Sequence, residues 1–348
     1  MKKTLFAALA LAFVASCSNE EVVEMAQKEA IGFDNAFINN STRSVKQGYD
    51  NDNLFSDFSV FGFVGNTGVI FDGTLVSGSG IGANAKWAYT TTPQYWIPGA
   101  FYNFCAVAPT TNGGWTKTGC LVNNNAINTT LSFTNDGKTD LLYAESDRME
   151  GLTVDNPKVA FTFRHLLSKV KFSFENAYDG TNATINVRGI KITNADHKAN
   201  VSLTKETTTW SDYSDTLPLE LGNATDDKTT EEVETTIPTY GYAKGGIFES
   251  NNEVLLIPSS SEKTYTIEFI VDLYVSNTFF APYEHTVNKN AAATVTFAPG
   301  AGFSYDIKAV ITPDNINPNP DVTKEQILFT VSKIDEWTPA KDNTNVNI

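Results

Sequence analysis

The 348-residue chain carries a formal net charge of −15, with 25 Lys and Arg against 40 Asp and Glu. That balance, with no Lys/Arg cluster anywhere in the sequence, excludes an electrostatic grip on phosphate backbones, so nucleic acid is not an expected partner. Once a short leader is set aside, about 330 residues remain, enough for two domains and too many for one ordinary core.

The leader comes first. Lys2 and Lys3 make a cationic start, Leu5 to Ala15 form an apolar run of eleven residues, and Val14, Ala15, Ser16 and Cys17 make a lipobox. The run is far shorter than the ~20 residues that span a bilayer, so residues 1–16 read as a secretory signal peptide. Cys17 then becomes the lipidated first residue of the mature chain. Acyl chains at ~0.8 kcal/mol per buried methylene anchor a protein firmly, which makes outer-membrane lipid an expected partner. The acidic stretch Ser18 to Glu21 is similar to the surface-export tag of some Gram-negative lipoproteins and points outward.

Ile31, Phe33, Ala36, Phe37 and Ile38 form the first apolar segment of the mature chain, and Arg43 is the first arginine after it. Farther on, Cys105 and Cys120 are the only cysteines besides Cys17. Outside the membrane a disulfide between them can persist, closing a loop of about 15 residues worth ~3 kcal/mol. Two reduced, buried thiols are the other reading, since Cys105 sits within the apolar run from Phe101 to Pro109.

Period-two alternation then recurs, and helical spacing is scarce. Val159, Phe161 and Phe163 fall on odd positions while Val170, Phe172 and Phe174 fall on even ones, which predicts a bulge or turn near His165 to Leu167. A polar, turn-rich stretch from Asn176 to Ala183 suggests a domain boundary, giving units at 44–178 and 179–348. The switch from Ile185 and Val187 to Ile190 and Ile192 falls at Gly189, which tolerates a bulge. Residues 222–236 are polar and acidic and read as a solvated loop. Thr264 to Val275 places Tyr265, Ile267, Phe269, Val271 and Leu273 on one face, a half-buried strand, and Phe303 to Ile311 repeats the pattern. Ala293, Val295 and Phe297 form a shorter copy. Three prolines in 312–323 make a stiff, extended tether leading to a last apolar strand at 324–337, with Ile327, Phe329 and Val331 on one face. The reading is an all-β chain.

Chemistry is hard to find. His165, His197 and His285 lie in no nucleophile, metalloprotease or phosphate-loop motif, and no Cys/His cluster has metal-ligand spacing. No catalytic residue, metal or cofactor is expected, and the chain is read as no enzyme. Trp87, Tyr95, Trp96, Trp115 and Trp210 could stack on sugars if exposed together, or plug cores.

The lipobox, the segment from Ile31 to Ser44, the run from Pro93 to Pro109, Thr139 to Ala144, Val159 to Phe174, Glu253 to Ser260 and a last strand ending at Trp337 together resemble the fimbrillin family of the Bacteroidales, the lipoprotein pilins of type V pili. The resemblance implies two tandem β-sandwich-like (transthyretin-like) domains, lipoprotein export, proteolytic removal of the first strand after a basic residue, and polymerisation by strand exchange. Carried to this sequence, it makes 17–43 the leader with a detachable strand (Ile31, Phe33, Phe37), Arg43 the cleavage site with Lys46 as fallback, and 324–337 the donor candidate, which could equally complete its own domain. Partners are then other copies or related pilins, and a host or bacterial surface receptor. The polar tail from Thr338 to Ile348 departs from an apolar shaft-type ending. A non-polymerising surface lipoprotein that binds glycans, or a tip adhesin, is the alternative.

Overall fold

A computed structural model describes residues 29–38, 54–79, 86–178, 183–224, 244–275, 278–285, 293–316 and 326–336. Among these residues there is no helix. The strands, in chain order, are β1 (Phe33–Ile38), β2 (Asp57–Val64), β3 (Gly68–Ser79), β4 (Lys86–Ala88), β5 (Phe101–Ala108), β6 (Trp115–Asn123), β7 (Ala126–Thr134), β8 (Leu142–Glu145), β9 (Met149–Glu150), β10 (Val159–His165), β11 (Ser168–Asn176), β12 (Ala183–Leu203), β13 (Thr208–Ala224), β14 (Ile247–Glu249), β15 (Val254–Leu256), β16 (Lys263–Val275), β17 (Thr278–His285), β18 (Ala293–Phe297), β19 (Phe303–Ile311) and β20 (Phe329–Glu336).

The first sheet closes on itself. Its pairing runs β2-β3-β4-β1-β10-β8-β5, β5 returns to β2, and β9 adds to β5. A closed ring leaves no unpaired edge within the circuit. Phe58, Phe71, Phe104 and Phe161 fill its interior. The outer face of β2, β5 and β8 is buried as well: Phe61, Cys105 and Tyr143 point into a second core shared with β7 and β12. Burial on both sides explains why β2 and β5 are largely apolar and show no clean alternation, with Asp57, Ser59 and Asn103 buried among the apolar residues. Gly78 lets β4 come close to β3, because a Cβ there would lie 1.9 Å from the Lys86 carbonyl oxygen.

The second sheet is built around β12, which pairs with β16 near its start and with β7 near its end. β6, β13, β17 and β18 extend it. The register shift expected at Gly189 is present, between Arg188 and Lys191 on the β16 side, and Gly189 takes φ +62°. Because β7 precedes the Asn176–Ala183 stretch and β12 follows it, ladder hydrogen bonds cross the suggested boundary. Residues 179–182 of that stretch lie outside the described residues.

The third sheet runs β14-β11-β19-β20, with β15 also on β11. It packs Val170, Phe172, Phe174 and Ile307 against Ile185, Val187, Ile267 and Phe269 of the second sheet. The odd-to-even switch after Phe163 marks a change of sheet: β10 ends in the ring at His165, and β11 starts the third sheet at Ser168. At that corner His165 Nδ1 lies 2.6 Å from the Asp140 carboxylate, both side chains fully buried. The strand 264–275 buries its apolar face as expected, and its other face is covered where Glu268 meets Lys191 and Asp272 meets Arg188.

A tyrosine anchors a strand in each half. The Tyr102 hydroxyl accepts from the Ile97 amide at 2.7 Å and donates to the Tyr95 carbonyl at 3.4 Å. Tyr305 accepts from the Gly300 amide at 2.7 Å and donates to the Ala298 carbonyl at 3.2 Å, the same offsets of five and seven residues.

Candidate functional site: the slot around the first strand

Apolar side chains at Ile31, Phe33 and Ile38 cannot be left in water cheaply, and the ring offers them a place. All three are buried. β1 pairs with β10 in parallel over five residues, from Phe33↔Val159 to Ile38↔Phe163, with an irregularity between Asp34 and Ala36. Its other side touches β4 at a single pair, Phe33↔Trp87, antiparallel. Among the described residues, one wall of the slot is therefore a five-pair ladder with one irregularity and the other a narrow seam.

Phe33 lies at the centre of the ring, only 2% exposed. The rings of Phe58, Phe71, Tyr89, Phe104 and Phe161 surround it at 5.5 to 6.5 Å between centroids. Most are edge-on, and Phe161 is stacked, the arrangements that aromatic quadrupoles favour. Phe37 pairs with Thr162 through its backbone, and its side chain lies outside the described residues.

The residues just before β1 are held by hydrogen bonds. The Ile31 amide donates to the Gln94 carbonyl at 2.8 Å, the Tyr89 hydroxyl donates to the Ile31 carbonyl at 2.9 Å, and the Trp96 amide donates to the Glu29 carbonyl at 3.0 Å. The Glu29 carboxylate accepts from the Asn156 side chain at 2.9 Å and from its backbone amide at 2.8 Å. These two bonds favour the ionised form and hold the Glu29 carboxyl below its ordinary range. Sequence reasoning missed this clamp, and no local pattern could have shown it, since its partners are 127 residues apart.

The donor candidate occupies a different kind of place. Ile327 and Phe329 are buried and Val331 is half-buried, all against the third core, the one their own chain forms between the second and third sheets. Phe329 meets Phe172, Phe174 and Phe269 at 5.2 to 5.8 Å. Among the described residues β20 pairs antiparallel with β19 alone, so there it lies at the edge of its sheet. After Val331 the side chains turn outward, with Ile334 exposed.

Cys105 and Cys120 carry free thiols. Cys105 is fully buried and Cys120 partly so, and the Thr129 hydroxyl touches both sulfurs, at 3.5 and 3.4 Å. Cys17 and Arg43, with Lys46, lie outside the described residues. Of the five aromatics considered for sugar stacking, Trp87 and Trp96 are buried in the ring, Trp115 and Trp210 pack against the second core, and Tyr95 is exposed. Among the described residues no group of three His, Cys, Asp or Glu side chains is placed to hold a metal.

Comparison with known proteins bears on what such a slot belongs to. The sequence matches the fimbrillin-like family over residues 42–337, a span that begins beyond β1 and includes β20. The chain belongs to the fimbrillin-like family. Among solved structures it is similar to a fimbrial protein from Bacteroides vulgatus, with TM-score 0.57 at 16% identity, covering 89% of this chain and 99% of that one. At that identity the likeness shows a shared fold. A putative cell adhesion protein from Bacteroides uniformis matches with TM-score 0.45 at 15% identity over 90% of this chain and 99% of its own. The fimbrial anchor protein Mfa2 from Porphyromonas gingivalis matches with TM-score 0.30 at 13% identity over 81% of this chain and 90% of its own. No curated protein matches.

Proposed function

We propose that the chain is a structural subunit of a surface fimbrium, with two tandem transthyretin-like units. It is exported as a lipoprotein anchored to the outer membrane through Cys17, cut after Arg43, and polymerised by donor-strand exchange, serving cell adhesion. The observation that carries this reading is the position of β1. It fills a slot in a closed ring, yet among the described residues one of its two walls is a single residue pair. Removing it would leave a cavity lined by Phe58, Phe71 and Phe161 and an unpaired β10 edge, which is what a strand from another copy could fill. Each fully buried aliphatic or aromatic side chain stabilises by ~1.5 to 3 kcal/mol, so the three buried residues Ile31, Phe33 and Ile38 account for about 5 to 9 kcal/mol before any ladder bond is counted. The neighbour's 324–337 segment, with Ile327, Phe329 and Val331, is the donor of matching chemistry.

A tip role, accepting one strand and giving none, is favoured by one observation: Ile327 and Phe329 are already buried in their own core. An Arg-specific protease applied to purified full-length precursor, followed by electron microscopy and N-terminal sequencing, tests the main reading. Filaments whose subunits begin at Ser44 support it. Cleavage at Arg43 with the 29–38 segment still bound and no filaments overturns it. A C-terminal truncation that still accepts a strand but no longer extends filaments separates shaft from tip.

A further inference from the structure

Two cysteines from different sheets meet at one hydroxyl. Cys105 is on β5 of the ring and Cys120 on β6 of the second sheet. Cys120 faces Thr129 across the β6–β7 ladder, and the Thr129 hydroxyl lies 3.4 Å from the Cys120 sulfur and 3.5 Å from the Cys105 sulfur. Thr129 and Cys105 are fully buried and Cys120 is partly exposed, so the two sulfurs flank one buried hydroxyl between the sheets. We infer that Cys105 and Cys120 form an oxidation site: an exogenous disulfide of the small-molecule or exchange-protein class converts them to an intramolecular disulfide that ties the ring to the second sheet.

The two thiols differ in a way that orders the steps. Cys120 is partly exposed, and its hydrogen bond with the Cys105 thiol, together with the Thr129 hydroxyl and the Lys117 charge, holds its thiol below the ordinary range despite some burial. Burial pushes the Cys105 thiol well up. The Cys120 thiolate therefore attacks one sulfur of the oxidant, forming a mixed disulfide and releasing one oxidant thiol, which takes up the proton Cys120 lost. Cys105 then gives up its proton and attacks the Cys120 sulfur, breaking the mixed bond and releasing the second oxidant thiol. Two protein thiols are oxidised and one oxidant disulfide is reduced to two thiols. The consequence is mechanical. β5 forms the ring wall next to β2 and β8, and a bond to β6 holds that wall to the second sheet independently of whether β1 is in place.

The test uses the purified full-length chain, reduced and then incubated with oxidised glutathione, alkylated, and digested with trypsin without reduction. Cleavage after Lys86, Lys117 and Lys138 puts Cys105 in peptide 87–117 and Cys120 in peptide 118–138. The expected result is one species joining the two peptides, split by a reductant, with a thermal midpoint for the oxidised protein several degrees above the reduced one. Recovery of the two peptides apart, each alkylated or each carrying glutathione, overturns the inference. In Cys120→Ser the buried Cys105 should take up glutathione at least tenfold more slowly than the wild type loses thiols, and equal rates overturn the order of attack. The wild-type peptide map does not depend on how that variant folds, and it reads the same whether or not the chain polymerises.

Discussion

The first and last described strands of this chain are both short, both carry a phenylalanine in a core, and differ in what surrounds them. β1 lies inside a closed ring, with β10 on one side and β4 on the other. β20 lies at an edge, with β19 on one side, and buries little beyond Phe329. Topology, more than apolar content, decides how much rests on a strand. Loss of an interior strand opens a sheet and empties a core, whereas loss of an edge strand shortens a sheet and exposes the next one.

The largest expected effect comes from deleting each strand in turn. Removal of 29–38 should lower the unfolding free energy by about 5 to 9 kcal/mol, the burial of Ile31, Phe33 and Ile38. Ending the chain at Leu328 should cost about 3 kcal/mol, the burial of one phenylalanine and part of Val331. Urea titrations followed by tryptophan emission read the unfolding, since Trp87 and Trp96 sit in the ring core and Trp115 and Trp210 pack against the second core. Equal costs would break the comparison.

Point substitutions sharpen it. Phe33→Ala should cost about 5 kcal/mol, the upper end for a buried phenylalanine, because five aromatic neighbours in a closed ring have little room to collapse into the space. Phe329→Ala should cost about 3 kcal/mol, since an edge strand can shift inward. Calorimetry on the two variants is the check, and a larger loss at Phe329 would reverse the assignment of interior and edge.

These differences were only partly legible in the sequence. Strands β16 and β19 show alternation over most of their length, broken at Ile270, Tyr274 and Val310, because one face meets a core and the other mostly charge or solvent, so the period is written in the residues. β2 and β5 are buried on both faces and lose the period. Between Ala195 and Leu217 the pair β12 and β13 puts only small or widely spaced apolar residues, Ala199, Val201, Leu203, Trp210 and Tyr213, against the second core, while Lys198, Asn200, Ser202 and most of β13 face water, so the sequence there reads as polar. The apolar character of Ile31, Phe33 and Ile38 was visible, but the parallel partner of β1 is more than a hundred residues away, and ring closure is a property of pairings that no local window contains. For the same reason the ladder from β7 to β12 could not be foreseen across a polar stretch that looks like a boundary. The apolar face of the last strand was legible, and that strand's place at an edge was not.

Smaller effects ask whether the two halves are anchored alike. Tyr102→Phe and Tyr305→Phe each remove a hydroxyl that accepts one backbone amide and donates to one carbonyl. Each should cost about 1 to 2 kcal/mol, mostly from the amide left without its acceptor. A loss confined to Tyr102, read by the same urea titrations with hydrogen exchange at Ile97 and Gly300, would make the ring the only half that depends on such an anchor.

The smallest effect is expected at Tyr265, which sits in the third core with its hydroxyl lacking a hydrogen-bond partner among the described residues. A buried polar group without a partner opposes folding, so Tyr265→Phe should be neutral or stabilising by about 1 kcal/mol near neutral pH, the reverse of the other two tyrosines. Burial, with Asp196 nearby, pushes the Tyr265 phenol well above its ordinary value. The folded chain then holds that proton when the unfolded chain has released it, so the group's stabilising share is complete below about pH 10 and is lost as pH rises further. Wild-type stability should therefore fall between about pH 9 and about pH 11, and Tyr265→Phe should fall less steeply. Tyr143, pushed up in the same direction by burial against the ring, keeps part of the alkaline loss in both proteins. Urea midpoints across that interval decide the matter: parallel curves would mean that the Tyr265 hydroxyl is solvated in the folded chain.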